Sequence, residues 1–186
     1  MEGTYVAITM AIREILVAPD PRLKITARPV ERIDAETRRL MDDMLETMYR
    51  ANGIGLAAPQ IGSDLRIVVC DVARTNEPPK PMVLANPEVV WASEERELRE
   101  EGCLSVPEHY AEVERPTEVK IRYLDRDGTE QEIHATGLLS VCLQHEIEHL
   151  EGTLFIDHLS RIKRDIILRK LEDPAAHGTG TGLSLA

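Results

Sequence analysis

The stretch GLLSVCLQHEIEHL at residues 137–150 limits this chain more than any other. Leu138, Leu139, Val141, Leu143 and Leu150 recur at helical spacing, and Gly152 follows as a stop. The pattern predicts a helix buried on at least one side. Yet the same helix carries His145, Glu146, Glu148 and His149, and buried polar groups need partners. Residues four apart lie on one helical face, so His145 and His149 can hold one metal ion. Glu146 stands one position along, within reach of a water bound there, and can serve as its general base. A chance H-E-x-x-H with partly exposed histidines is the bland alternative; the apolar surroundings favour the metal.

A catalytic metal ordinarily has three protein ligands and one open position. The chain has three cysteines, Cys70, Cys103 and Cys142. Cys70 lies inside a strand pattern and reads as core. Cys142 lies one helical turn before His145. Cys103, in EEGCLSVPE, arrives from a different element behind a turn at Glu101-Gly102. Spacing alone leaves Cys103 and Cys142 both open as the third ligand.

The rest of the chain supplies the frame. Residues 18–33 are rich in Pro and charge and read as loop with short extended pieces. AETRRLMDDMLETMYRAN has helical spacing at Leu40, Met41, Met44, Leu45 and Met48, with Asp34 as N-cap and Asn52-Gly53 as stop. LRIVVCDV reads as a buried strand and MVLANPEVVW as a second extended segment. The charge run SEERELREEG reads as a solvated loop or rim. EVKIRYLDRDGTEQEIHA alternates on both sides of Asp125–Gly128, the mark of a hairpin. RIKRDIILRKLED reads as a late amphipathic helix. These elements suggest an α+β fold, with one catalytic domain over residues 1–172 and a disordered tail over 173–186.

GIGLAAPQ, residues 53–60, has the glycine spacing of a dinucleotide-binding turn. Such a turn follows a strand and opens a helix. This one follows a helix and runs into Pro59 and a strand, an inverted context that argues against nucleotide binding. Glycines here let backbone pass close to a metal or ligand, and an extended edge can pair with a peptide. Gln60 then offers a neutral N–H donor to a developing oxyanion.

With 186 residues and a net charge of −11, the chain is the size of one domain and is no general nucleic-acid binder. An odd count of dispersed cysteines is no disulfide framework. Glu2, Arg13 and Glu14 interrupt any leader or membrane-spanning pattern at the start, so a reducing cytoplasm is the expected home.

Taken together, the chain resembles the peptide deformylase family. Gly53, Gly55, Ala57, Ala58 and Gln60 match its first motif, Glu101 to Ser105 its second, and Gln144 to Gly152 its third, in the family's order. The resemblance implies antiparallel sheets packed around a central helix carrying the metal-binding motif, with a helix at the C-terminus. It implies Cys103, His145 and His149 as metal ligands, and Glu146 as general acid/base. Gln60 and the backbone N–H of Leu104 would stabilise the oxyanion. Gly55 and Ile54 would hold the substrate, with Leu138, Val141 and Cys142 lining the methionine pocket. The implied substrate is the N-formylmethionyl nascent peptide, and the implied metal is Fe(2+), with Zn2+, Ni2+ or Co2+ as substitutes. The protein is expected to be a monomer. Arg161, Lys163, Arg164, Arg169 and Lys170 make the last helix basic, either as a solvated face or as a ribosome-docking surface. Glu148 departs from the more usual Asp, and His109-Tyr110 from a more usual Arg. Competing readings are a zinc endoprotease, a silent metal-holding relative, and a closed structural site with Cys142 as fourth ligand.

Overall fold

The structure, a computed structural model, describes residues 11–173 of the 186. The expectations for the first ten residues and for the tail beyond Asp173 lie outside the described residues.

Helix α1 spans Ala35–Arg50 and begins as its sequence requires: Asp34 Oδ1 accepts from the Thr37 N–H at 2.9 Å. It ends where Asn52 turns left-handed at φ 55°. Next come β1 (Gly55–Ala57), β2 (Ile67–Cys70) and β3 (Met82–Ala92). Strands β6 (Glu118–Leu124) and β7 (Glu130–Thr136) complete an antiparallel five-stranded sheet in the order β1-β2-β3-β6-β7. The β6–β7 hairpin closes at Asp125–Thr129, as its alternation predicts.

The sheet is covered on both faces near β2. Met41, Met44 and Met48 of α1 pack with Leu56, Ile67 and Val69 on one face. Val68, Cys70 and Ala57 point to the other, where they meet Cys142, Leu143 and Leu150 of helix α2 (Gly137–Leu150). A strand buried on both faces must be apolar throughout, which is why IVVC lacks alternation. Helix α2 thus sits between the sheet and a second, two-stranded ribbon.

That ribbon corrects the reading of the charge run. Arg96–Cys103 is strand β4, paired antiparallel with β5, Val106–Pro116, which the sequence reading left without an element. The run is solvated, as expected, from Glu94 to Glu100. It is not loop, because an exposed ribbon satisfies its backbone by pairing while its charged side chains stand in water. Only the inner end dips into the protein: Glu101, Gly102 and Cys103 are buried. A third apolar cluster joins Cys103, Val106 and Val113 to Leu23, Phe155 and Leu171. Leu171 comes from the C-terminal helix α3, Arg161–Glu172, capped by Ser160.

Gly152, just past α2, holds the helix end against the loop before α1. Its φ is 73°, and a Cβ there would lie 2.6 Å from the Lys24 carbonyl oxygen. Gly152→Ala is expected to lower unfolding free energy by about 2 kcal/mol or more, read as a lower urea midpoint at unchanged slope. An unchanged midpoint would show that the chain does not close so tightly there.

Candidate metal centre and active site

Two elements deliver the donors. Helix α2 presents His145 and His149 one turn apart, their rings edge to face with centroids 5.0 Å apart. The inner end of β4 presents Cys103, just after a register shift at Gly102 that re-aims the strand. Cys103 Sγ lies 3.3 Å from His149 Nε2. One atom from each of Cys103, His145 and His149 falls within 4.8 Å of the other two, and all three residues are buried. Cys142 is not in the group; its thiol faces the Ile54 carbonyl oxygen at 3.7 Å. Of the two cysteines that spacing left open, Cys103 and not Cys142 lies beside the two imidazoles.

Around this point several polar atoms lack protein partners. Among the described residues, His145 Nε2, His149 Nδ1 and both carboxyl oxygens of Glu146 are buried without a hydrogen bond. Such groups ordinarily destabilise a fold unless something else satisfies them. A sulfur and two imidazoles converging on one buried point suit a divalent metal with borderline or soft preferences. The donor set fits the ion.

The electrostatics agree. Burial pushes the Glu146 carboxyl well above its ordinary value, with nearby Cys70 and Glu101 adding to the effect. Burial also pushes the Cys103 thiol up; the Glu146 charge adds, while the N–H groups of Ser105 and Val106 pull the other way. His149 is pushed well below its ordinary value by burial and by His145, so it stays a neutral donor.

Gln60 sits on a 3-10 turn, Ala58–Ile61, and is fully buried. Its Oε1 accepts from the Ala57 N–H at 2.8 Å. That leaves Nε2 aimed at Ser105 Oγ, 3.1 Å away, and Cys103 Sγ, 3.6 Å away. Leu104 occupies the tight turn between β4 and β5, its side chain against Gly53. Gly55 lies in the edge strand β1, where a Cβ would come within 2.5 Å of Glu146 Oε1 and 2.8 Å of Cys142 Sγ. Only glycine fits between sheet and helix at that point. Leu138 and Val141 line a groove of about 390 Å3 with Leu98 and Arg99. Ile54 and Cys142 lie together on the sheet side. A cavity of about 830 Å3 beside Arg13, Arg28 and Leu40 contains none of the expected site residues.

Glu101 and Arg115 are more important than the sequence suggested. Glu101 Oε2 accepts from His145 Nδ1 at 2.9 Å. Arg115 grips the same carboxylate through Nε and Nη2, and grips Glu148 through Nη1 at 2.9 Å and Nη2 at 3.1 Å. Burial pushes Glu101 up, but its bonds to Arg115 and His145 outweigh that and hold it below the usual range. An ionised Glu101 fixes the His145 tautomer and leaves Nε2 free. No local pattern marks Arg115, fourteen positions from its partner Glu101 along the ribbon. Tyr110 lies across Gly102, opposite it in the ladder.

A cysteine, two histidines and an unpaired carboxyl group around one buried point define the class: a metal-dependent hydrolase centre on an α+β frame. Comparison with known proteins agrees. A family model described as polypeptide deformylase matches residues 12–165. The peptide deformylase of Methylocella silvestris is 58% identical over 169 residues, spanning 89% of this chain and 86% of that one. That of Phenylobacterium zucineum is 58% identical over 166 residues, spanning 89% and 98%. A crystal structure of the Ehrlichia chaffeensis peptide deformylase with actinonin matches with a TM-score of 0.84 at 42% identity, covering 88% of this chain and 97% of that one. One from Legionella pneumophila matches with a TM-score of 0.82 at 48% identity, covering 87% and 94%. The chain belongs to the peptide deformylase family.

The raised Glu146 carboxyl has a measurable consequence in metal-free protein. Folded, it holds its proton above the ordinary value of 4.5; unfolded, it releases it there. The folded state thus binds the extra proton, and stability falls as pH rises from 4.5 toward the raised value. Glu146→Gln removes that dependence. The mutant's stability advantage over the metal-free parent should widen with pH, by at most about 1.4 kcal/mol per pH unit. A constant difference between pH 5 and pH 8 would place Glu146 in a solvated site.

Proposed function

We propose that this chain is a metal-dependent amide hydrolase that removes the formyl group from the N-terminal formyl-methionine of new polypeptides. The observation that carries the assignment is the juxtaposition of the Cys103, His145 and His149 donors with the unpartnered Glu146 carboxyl. Cys103, His145 and His149 hold one divalent ion, ferrous iron in the cell, with Zn2+, Ni2+ or Co2+ able to replace it. The ion supplies Lewis acidity and lowers the pKa of water.

The chain's own residues do the rest. Glu146 accepts a proton from the attacking water and returns it to the leaving amine. Water adds to the formyl carbon, and Gln60 Nε2 and the Leu104 N–H donate to the oxyanion that develops on the formyl oxygen. Oε1 of Gln60, tied to the Ala57 N–H, stops the amide from turning its oxygen toward that charge. Formate and a free amine result. The substrate backbone lies along Ile54 and the start of β1 at Gly55, an edge strand whose outer side pairs with no described strand. The methionine side chain rests against Leu138, Val141 and Cys142.

The same domain, residues 1–172, acts as a monomer in the cytoplasm. Among the described residues no helix is long and apolar enough to cross a membrane. Arg161, Lys163, Arg169 and Lys170 are exposed on α3, beside Ile162, whose exposure is 74%. A basic face with apolar contacts suits docking to the ribosome.

Anaerobically prepared protein loaded with ferrous iron should release formate from formyl-Met-Ala-Ser. Glu146→Ala should lower kcat by at least about 100-fold while one metal per chain remains. Gln60→Ala should also lower kcat by about 100-fold, with a smaller change in KM. Cys103→Ala should lose the metal. Protein that holds one metal yet releases no formate would refute the assignment.

A further inference from the structure

We propose that His158 is a positioning residue for the metal centre, setting the orientation of His145 through Glu148, Arg115 and Glu101. The proposal rests on Cys103, His145 and His149 being the ligands.

A continuous chain of polar contacts runs from the surface to the site. His158 Nε2 lies 3.0 Å and 2.9 Å from the two oxygens of Glu148. Glu148 accepts two bonds from Arg115, Arg115 grips Glu101, and Glu101 accepts from His145 Nδ1. The inner links are almost completely buried, with side-chain exposures of 4% for Arg115, 0% for Glu101 and 2% for His145. The outer links are not: Glu148 is 27% exposed and His158 37%. The guanidinium is planar, so its grip on Glu148 fixes its angle to Glu101. Glu148 is also the joint that can loosen, because water competes for its carboxylate. His158 closes that joint by holding both oxygens from the solvent side.

The turn that carries His158 has a second hold on the same ligand. Phe155, at the other end of the 3-10 turn Phe155–His158, stacks on the His145 ring with centroids 6.1 Å apart and planes 25° apart. One four-residue turn therefore addresses His145 twice, through the ring face and through the Nδ1 chain. Truncating the half-exposed His158 ring opens no cavity in the core, so its effect on the metal can be separated from folding.

The test uses the full chain loaded with Co(II). Parent, His158→Ala, His158→Gln and Glu148→Ala are compared, together with the Glu148→Ala/His158→Ala double variant. The readouts are the visible cobalt spectrum, the rate of cobalt loss to a chelator, kcat and KM. A directly bonded partner of a metal-ligating histidine typically changes metal affinity by about 10- to 100-fold. For His158→Ala, three links further out, cobalt loss about 3- to 10-fold faster is expected, with an altered spectrum, a lower kcat and KM unchanged. His158→Gln, which keeps an N–H donor at that reach, should recover most of the loss. In the Glu148→Ala background, removing His158 should add nothing. A parental release rate and spectrum in His158→Ala would overturn the proposal. So would a Gln variant no better than Ala, or an undiminished effect without Glu148. A parent that binds no cobalt would overturn the ligand assignment itself, and the proposal with it.

Discussion

A fully buried carboxyl group with no hydrogen-bond partner among the described residues, Glu146, lies at the centre of this protein, and much of the structure can be understood as the means of enclosing it. Two walls enclose the carboxyl group. On the sheet side Gly55 has no side chain and lets β1 close directly over Glu146. On the ribbon side Cys103 and Ser105 lie beside the buried amide of Gln60. The unpaired polar atoms of His145, Glu146 and His149 reduce the stability of the metal-free fold, and the three apolar clusters offset that.

The architecture follows from giving one helix two unlike neighbours. The five-stranded sheet supplies α2 with an apolar floor, Val68, Cys70 and Ala57. The β4–β5 ribbon supplies the polar partners, Cys103 as donor and the Glu101–Arg115 pair as a clamp on His145. The ribbon's outer length is water-exposed and highly charged, and its inner end is buried beside the helix. That contrast explains why one strand contains both solvated glutamates and a buried one. In the metal-free protein burial pushes both carboxyls up, and Glu101 has a guanidinium against it that brings it back below the usual range.

Much of this was legible along the chain. Helix α1 announced itself by its methionine spacing and Asp34 cap, the β6–β7 hairpin by alternation about Asp125–Gly128, and α2 by its apolar pattern and H-E-x-x-H. The ribbon was not legible, because propensity cannot separate an exposed, paired strand from a solvated loop when nearly every residue is charged. Arg115 and His158 were missed for a related reason. Their partners are far off in sequence, and neither sits in a local pattern. Glu148 was legible as a departure from the usual Asp, but its place between Arg115 and His158 was not.

The sequence by itself determined the chemistry on offer: two imidazoles and a carboxylate on one apolar helix, a glycine-flanked cysteine, and an amide after two glycines. Helical and strand periodicities are local and can be read from neighbours. Which cysteine lies beside the two imidazoles was decided only by tertiary structure. Cys142 is nearer to His145 in sequence but turns toward the Ile54 carbonyl, while Cys103 is brought in across the ribbon. Ionisation was decided there as well. Two glutamates in one buried region take opposite protonation preferences because burial raises the pKa of both and only one is paired. Burial and pairing arise between distant segments, so they emerge only when the sheet, the helix and the ribbon close on one another.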